Sequence, residues 1–222
     1  MLIIEGLTKT YKMGSEEIKA VDDINLEIEE QAFITIMGRS GSGKSTLLNM
    51  IGCLDRPTKG KIIIDGNDIT NLKSKKLLNI RRNKIGFIFQ QNNLVSSLNV
   101  LENVMLPLKY LRVSKGKAKA LAIDILKKVG LNDRLRHLPS QLSGGEQQRV
   151  AIARALITKP SVILADEPTG SVDTQTSRDI IKLMREMNKE NKQTFIIVTH
   201  DPIVAEASDR TYKISDGKLL LD

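Results

Sequence analysis

The chain has 222 residues, the size of one α/β domain, and should bury about 70% of its unfolded surface on folding. Thirty-four basic against twenty-six acidic residues give a net charge of +8, which suits nucleic acid, an anionic membrane surface, a phosphate-rich ligand or plain solubility. Aromatic residues make up only 3% and Trp is absent, which excludes the stacking platform of a single-strand binder, and the one cysteine excludes an internal disulfide. MLIIEGLTKTYK lacks a cleavage pattern and no apolar run approaches the roughly 20 residues of a membrane span, so a soluble, cytosolic chain is expected.

Two strands of an antiparallel sheet open the chain. They are LIIEGL, then AVDDINLEI with Val21, Ile24, Leu26 and Ile28 in alternation. Between them Tyr11 stands in a polar stretch, TKTYKMGSEE, read as a loop, where its ring either packs over the sheet edge or offers a flat face to a base. AFITIM follows, a short apolar run rich in strand formers. It leads into GRSGSGKST, residues 38–46, and then LLNMIGCL, too apolar on all sides for a surface helix.

GRSGSGKST fits the pattern G-x-x-x-x-G-K-S/T, with Gly38, Gly43, Lys44 and Ser45 in the required places. Glycines let backbone N–H groups turn inward around a phosphate, above the positive end of the next helix. Lys44 adds a mobile cation for the outer phosphates, and the Ser45 hydroxyl is a hard ligand for Mg²⁺. Gly38, Arg39, Ser40, Gly41, Ser42, Gly43, Lys44, Ser45 and Thr46 therefore form the candidate nucleoside triphosphate site, with Cys53 expected to be an inert thiol in the helix behind them.

PTKG, residues 57–60, reads as a turn, and KIIIDGND as a strand ending in an Asp65–Gly66 turn. LKSKKLLNIRRNK is a short basic helical segment with a solvated face, leading into the apolar strand IGFIF and then Gln90. Ligands of open α/β sheets lie beyond the carboxyl ends of strands, which makes a polar residue there a candidate. From Asn99 to Ser140 the sequence turns helical and charged. SKGKAKALAIDILKKVG carries Ala118, Leu121, Ile125, Leu126 and Val129 on one face and Gly130 in the C-cap place. His137 has no nearby ligand partner and reads as a surface residue.

QLSGGEQQRVAIARAL begins with a capping box, Ser143 and Glu146, yet places Gly144 and Gly145 in the first turn, where each costs about 1 kcal/mol relative to Ala. Glycine there permits a close backbone approach, and an anion at the positive helix end is the natural candidate. SVILADEPTG puts Asp166 at the end of a buried strand, where it can hold Mg²⁺ bound at Ser45 through water, and Glu167 one residue on, placed to orient or deprotonate an attacking water. TSRDIIKLMREMNKEN, apolar at Ile180, Met184 and Met187, returns the chain to TFIIVTH as a βαβ unit with parallel strands and a right-handed crossover. His200 ends that strand, at the rim shared by Asp166 and Gln90. RTYKISDGKLLL is a strand, an Asp216–Gly217 turn and a final strand.

The series GRSGSGKST, IFQ, LSGGE, ILADEP, SVD and VTH closely resembles the ATP-binding subunits of ATP-binding-cassette (ABC) transporters across essentially the whole chain. The resemblance implies an α/β fold: a P-loop NTPase core with a mixed sheet, an N-terminal antiparallel β-subdomain and an inserted α-helical subdomain. The expected division is 1–95 and 150–222 for the core with its β-subdomain, and about 96–149 for the helical part. It implies that Tyr11 is the adenine-stacking aromatic and that Gln90 senses Mg²⁺ and the membrane subunit. Ser143, Gly144, Gly145 and Glu146 would belong to the signature acting in trans, and Asp166 would be the Mg²⁺-side aspartate. Glu167 would be the catalytic glutamate, Asp173 the inter-subunit aspartate and His200 the switch histidine, with Lys44 joining them in catalysis. Ser171-Val172 departs from the Ala-Leu common in this branch while keeping Asp173, which should tune communication between sites. IGCLDRPTKG, IGFIFQQNNL and LENVMLPL are similar to the branch of lipoprotein-releasing, macrolide-exporting and antimicrobial-peptide-resistance ATPases.

The implied cofactors are ATP and Mg²⁺. The implied partners are a second copy of the chain, with ATP between the two, and integral-membrane permease subunits that hold the ATPase on the inner face of the membrane. Nucleic acid is not expected. A DNA-acting ATPase of the same signature carries a long coiled coil between its nucleotide motifs, and this chain has none. A GTPase lacks a counterpart to LSGGE and needs N-K-x-D, which NKIG and NKQT do not supply.

Overall fold

The computed structural model describes residues 1–220, without the side chain of Met13. Two sheets organise it. The first is antiparallel and four-stranded, in the order β2 (Glu16–Ile28), β1 (Leu2–Met13), β4 (Lys59–Ile64), β5 (Asn67–Asp68). The second has the order β10 (Lys218–Leu220), β9 (Arg210–Ser215), β3 (Phe33–Met37), β8 (Thr194–Thr199), β7 (Val162–Asp166), β6 (Ile85–Ile88). Its strands are parallel except β10, which runs antiparallel to β9.

The central strands are apolar throughout because both faces are covered: every residue of TFIIVT is buried, as are four of five in FITIM and in VILAD. One face packs with the antiparallel sheet and α1 (Lys44–Ile51) around Leu47, Leu48, Ile36 and Val198. The other packs on α5 (Gly144–Leu156) and α6 (Thr174–Asn191) around Ile152, Ile180, Met184 and Phe195. A third apolar cluster joins α3 (Val100–Tyr110), α4 (Lys115–Lys128) and α5 through Val104, Leu126 and Val150. Thus α5 serves two cores at once. The remaining α-helices are the basic α2 (Ser74–Lys84), without a single buried residue, and the short α7 (Pro202–Glu206).

Several expectations change in detail. β1 and β2 are longer than LIIEGL and AVDDINLEI and meet across Gly14–Ser15, so Tyr11 sits in a strand opposite Ile18 and not in a loop. The alternation in β2 slips between Val21 and Ile24 because Asp23 adopts φ 53°, a bulge that returns Ile24 to the buried side. Lys59 and Gly60 of PTKG already belong to β4. α1 stops at Ile51, so Cys53 lies beyond the helix at φ 56°, and burial pushes its thiol up to about 11. Asp65–Gly66 and Asp216–Gly217 have positive φ at both residues, as a two-residue hairpin turn needs. Leu221, the last residue of the tail strand reading, lies outside the described residues.

Candidate active site

The phosphate loop leaves β3 at Met37 and enters α1 at Lys44, with Gly41 at φ 81° and Gly43 at φ 103°. Glycine is required here for two different reasons. At Gly41 the backbone angle alone demands it, since a Cβ would meet nothing; at Gly43 a Cβ would also lie 2.1 Å from the Ala20 carbonyl of β2. The turn between β9 and β10 supports the loop from outside, where Gly217 N–H donates to Ser42 O at 3.0 Å. Ala20 and Gly217 reach the loop from separate parts of the chain, so no local pattern announces either contact.

Lys44 is buried and donates from Nζ to the carbonyls of Gly38 (2.7 Å) and Arg39 (3.0 Å), with Glu167 Oε1 at 3.9 Å. Asp166, the last residue of β7, stands beside the Ser45 side chain. Burial lifts its carboxyl above the ordinary range, the Ser45 hydroxyl and Lys44 oppose that, and the neighbouring Glu167 charge adds to it. Glu167 adopts φ 45°, uncommon for a non-glycine residue, and is pinned by its own N–H to Val198 O at 2.9 Å. Its carboxylate accepts from Thr199 Oγ1 at 2.8 Å and lies 3.0 Å from His200 Nδ1. Thr199 is fully buried, and the sign of it in the sequence is a hydroxyl that closes the apolar run FIIV.

Ser40, Gly41, Gly43, Lys44, Ser45, Thr46, Gln90, Asp166, Glu167 and His200 line one cleft of about 360 Å³. Gln90 is exposed past the end of β6; a Cβ on Gly170 would stand 3.2 Å from its Nε2. Gly38, Arg39 and Ser42 belong to the loop without lining the cleft, and Tyr11 also stands outside it. The Tyr11 hydroxyl donates to Asp55 Oδ2 at 2.7 Å, with the Thr46 hydroxyl nearby at the start of α1; burial and the Asp55 contact raise its pKa.

Ser143, Gly144, Gly145 and Glu146 lie elsewhere, in a second cleft of about 460 Å³ that also takes in Arg149, Ser171, Val172, Asp173 and Thr176. The capping box is present: Ser143 Oγ accepts from Glu146 N at 3.2 Å and Glu146 Oε2 from Ser143 N at 2.8 Å. Those bonds and the Arg134 contact at 3.0 Å hold the Glu146 carboxyl below its usual range. Asp173 caps α6, accepting from Thr176 N at 3.0 Å and Thr176 Oγ1 at 2.6 Å, and the Thr176 bonds lower its pKa. His137 is half-buried at the surface of the helical part and joins neither cleft.

A mostly parallel sheet that ends one central strand in a glycine loop and its neighbour but one in paired acids has the architecture of a phosphate-loop ATPase. Residues 21–170 match the family described as ABC transporter. The chain is 50% identical over 222 residues to the ABC transporter ATP-binding protein YvrO of Bacillus subtilis, covering all of this chain and 96% of that one. It is 44% identical to the macrolide export ATP-binding/permease protein MacB of Hyphomonas neptunium, again over the whole chain but spanning only 34% of that longer protein. A solved dimeric structure of the ATP-binding cassette MJ0796 in a post-hydrolysis state with ADP and Pi superposes with a TM-score of 0.92, at 47% identity over 100% of this chain and 97% of that one; MJ0796 is a protein of Methanocaldococcus jannaschii. The chain belongs to the ABC transporter family and is its ATP-binding, ATP-hydrolysing subunit. No described helix is long and apolar enough to cross a membrane.

Proposed function

We propose that two copies of this chain close around ATP and Mg²⁺, and that this closure and its release on hydrolysis drive permease subunits that export or extract a lipophilic or peptide substrate. The separation of the two clefts carries the reading. Lys44, Ser45, Asp166, Glu167 and His200 line one, Ser143–Gly145 line the other, and they share no residue. One triphosphate needs only one phosphate-binding helix end, so a two-fold axis would set the loop of one copy against the signature of the other.

In this scheme the loop from Gly38 to Thr46 cradles the phosphates, Lys44 takes up the outer ones and Tyr11 stacks on the adenine from beside Thr46. Among the described residues no group of three or more His, Cys, Asp or Glu is arranged to hold a metal by itself. Hard oxygen donors do meet where Ser45, Gln90 and Asp166 line one cleft, which fits a Mg²⁺ that arrives with its nucleotide and keeps waters. Ser45 would hold it directly, and Asp166 and Gln90 through water; when bound it would neutralise charge on the outer phosphates. Glu167, fixed by Thr199, orients and deprotonates the attacking water, a role worth roughly 10²–10⁴ in rate. His200 donates to phosphate, Glu146 braces the signature loop, and Asp173 speaks across the dimer. Residues 1–95 and 150–222 form the core and about 96–149 the helical part, with the permease seated near Gln90 and that part, on the inner face of the membrane. The export direction rests on relatives named for macrolide export.

Lys44→Ala tests the site directly. ATP binding measured by calorimetry is expected to fall at least tenfold, while thermal unfolding without nucleotide shifts by no more than a few degrees; unchanged affinity would refute the assignment.

A further inference from the structure

The two glycines of the signature loop rest on the residues around Asp173. A Cβ on Gly144 would be in ordinary contact with Val172 Cγ1 at 3.6 Å, but a Cβ on Gly145 would be 2.6 Å from Thr176 Cγ2, which is not a tolerable separation. Thr176 Oγ1 meanwhile donates to Asp173 Oδ2 at 2.6 Å. Methyl and hydroxyl share one Cβ and turn on one stiff torsion. Rotating χ1 to clear a side chain at position 145 therefore withdraws the hydroxyl from Asp173, and freeing Asp173 removes what fixes the methyl against the signature loop.

We propose that Thr176 is a positioning residue that locks the loop from Ser171 to Asp173 to the signature loop, so that the two move as one body when a second copy closes. Gly145 is then glycine because of Thr176 in its own chain, and not only because a phosphate approaches it. This rests on the ATP-dependent dimer proposed above. The rest of α6 does not depend on the Thr176 hydroxyl, since the Thr176 N–H to Asp173 Oδ1 bond keeps the helix capped.

Four variants decide it, each read by steady-state phosphate release, by Tm and, in a Glu167→Gln background, by gel filtration with ATP. Thr176→Val keeps the methyl and loses the hydroxyl. It is expected to lower kcat about tenfold and weaken the ATP-dependent dimer, with KM and Tm near wild type. Thr176→Ser keeps the hydroxyl and should retain wild-type turnover within about twofold. Gly145→Ala should lose roughly 10–100-fold in kcat. Adding Thr176→Ser removes the clashing methyl and leaves the nearest Thr176 atom, Cβ, at 4.0 Å, so the double variant should recover most of that loss. A double variant no more active than Gly145→Ala alone, or Thr176→Val with wild-type kcat, overturns the proposal. Wild-type protein that releases no phosphate at any concentration would instead sink the ATPase reading itself.

Discussion

Asp166 shows how much the site is built against the interests of the isolated fold. Burial lifts its carboxyl above the ordinary carboxylate range, and the adjacent Glu167 charge adds to the cost of ionising it. A group whose native pKa is raised keeps a proton that the unfolded chain has already given up. Its contribution to stability therefore falls as pH rises through the window between the ordinary and the raised value, and at neutral pH the ionised form is a burden. Asp166→Asn keeps an acceptor for the Ser45 hydroxyl and removes the charge. It should raise the Tm of the nucleotide-free protein at pH 7 by a few degrees, about 2–4 °C for a gain near 1 kcal/mol in a chain this size, and abolish phosphate release. The gain should shrink as pH is lowered toward the carboxylate range. Calorimetry at several pH values checks this; a lower Tm at pH 7 would contradict the sign. Asp166 and Glu167 were legible in the sequence because an apolar run fixes where a strand ends and what stands there. Thr199 was legible only in part. Its burial and its bond to Glu167 depend on two parallel strands lying side by side, which no local pattern states.

At the scale of elements, the joint between β6 and α5 is the clearest case of geometry hidden from the sequence. After Gln90 the backbone passes through Asn92 at φ 53° and Asn93 at φ 48°, two consecutive left-handed residues, a conformation Asn tolerates better than most. Arg154, on the helix that begins at the signature, donates from Nη2 to Asn92 O and from Nη1 to Asn93 O, both at 2.6 Å. One side chain thereby ties the segment after Gln90 to the signature helix, 61 and 62 residues further along the chain. Arg154→Met keeps the apolar stem and deletes both charged donors, so it should destabilise the protein by about 2 kcal/mol in urea unfolding. A loss below about 0.5 kcal/mol would show that the clamp contributes little to stability. The Ser143–Glu146 capping box, by contrast, was readable from four consecutive letters because all its bonds are local. Tyr11 was misplaced for the opposite reason. TKTYKMGSEE looks like a loop by composition, and only pairing across Gly14–Ser15 with β2 makes it strand.

For the whole molecule, the question is what a single copy lacks. Its phosphate cleft offers Lys44, Ser45, Asp166 and Glu167 on one side, and the Ser143–Gly145 loop opens on a separate concavity of the same chain. A monomer should therefore bind ATP and turn it over poorly, and turnover per chain should rise with protein concentration. Glu167→Gln isolates the closed state. The amide keeps an acceptor for the Thr199 hydroxyl and the same shape beside His200, but it is no base, so the step that ends the closed state is removed while its assembly is not. Removing that carboxylate also takes a negative charge away from where the outer phosphates would lie, which favours closure further. Gel filtration of this variant should show monomer alone, dimer with ATP and monomer with ADP. A dimer held by ligand should follow nucleotide concentration as mass action requires, and Lys44→Ala in the same background should erase it. A Glu167→Gln protein that stays monomeric with saturating ATP and Mg²⁺ would rule out the two-copy site, and with it the account of why the signature loop lies where it does.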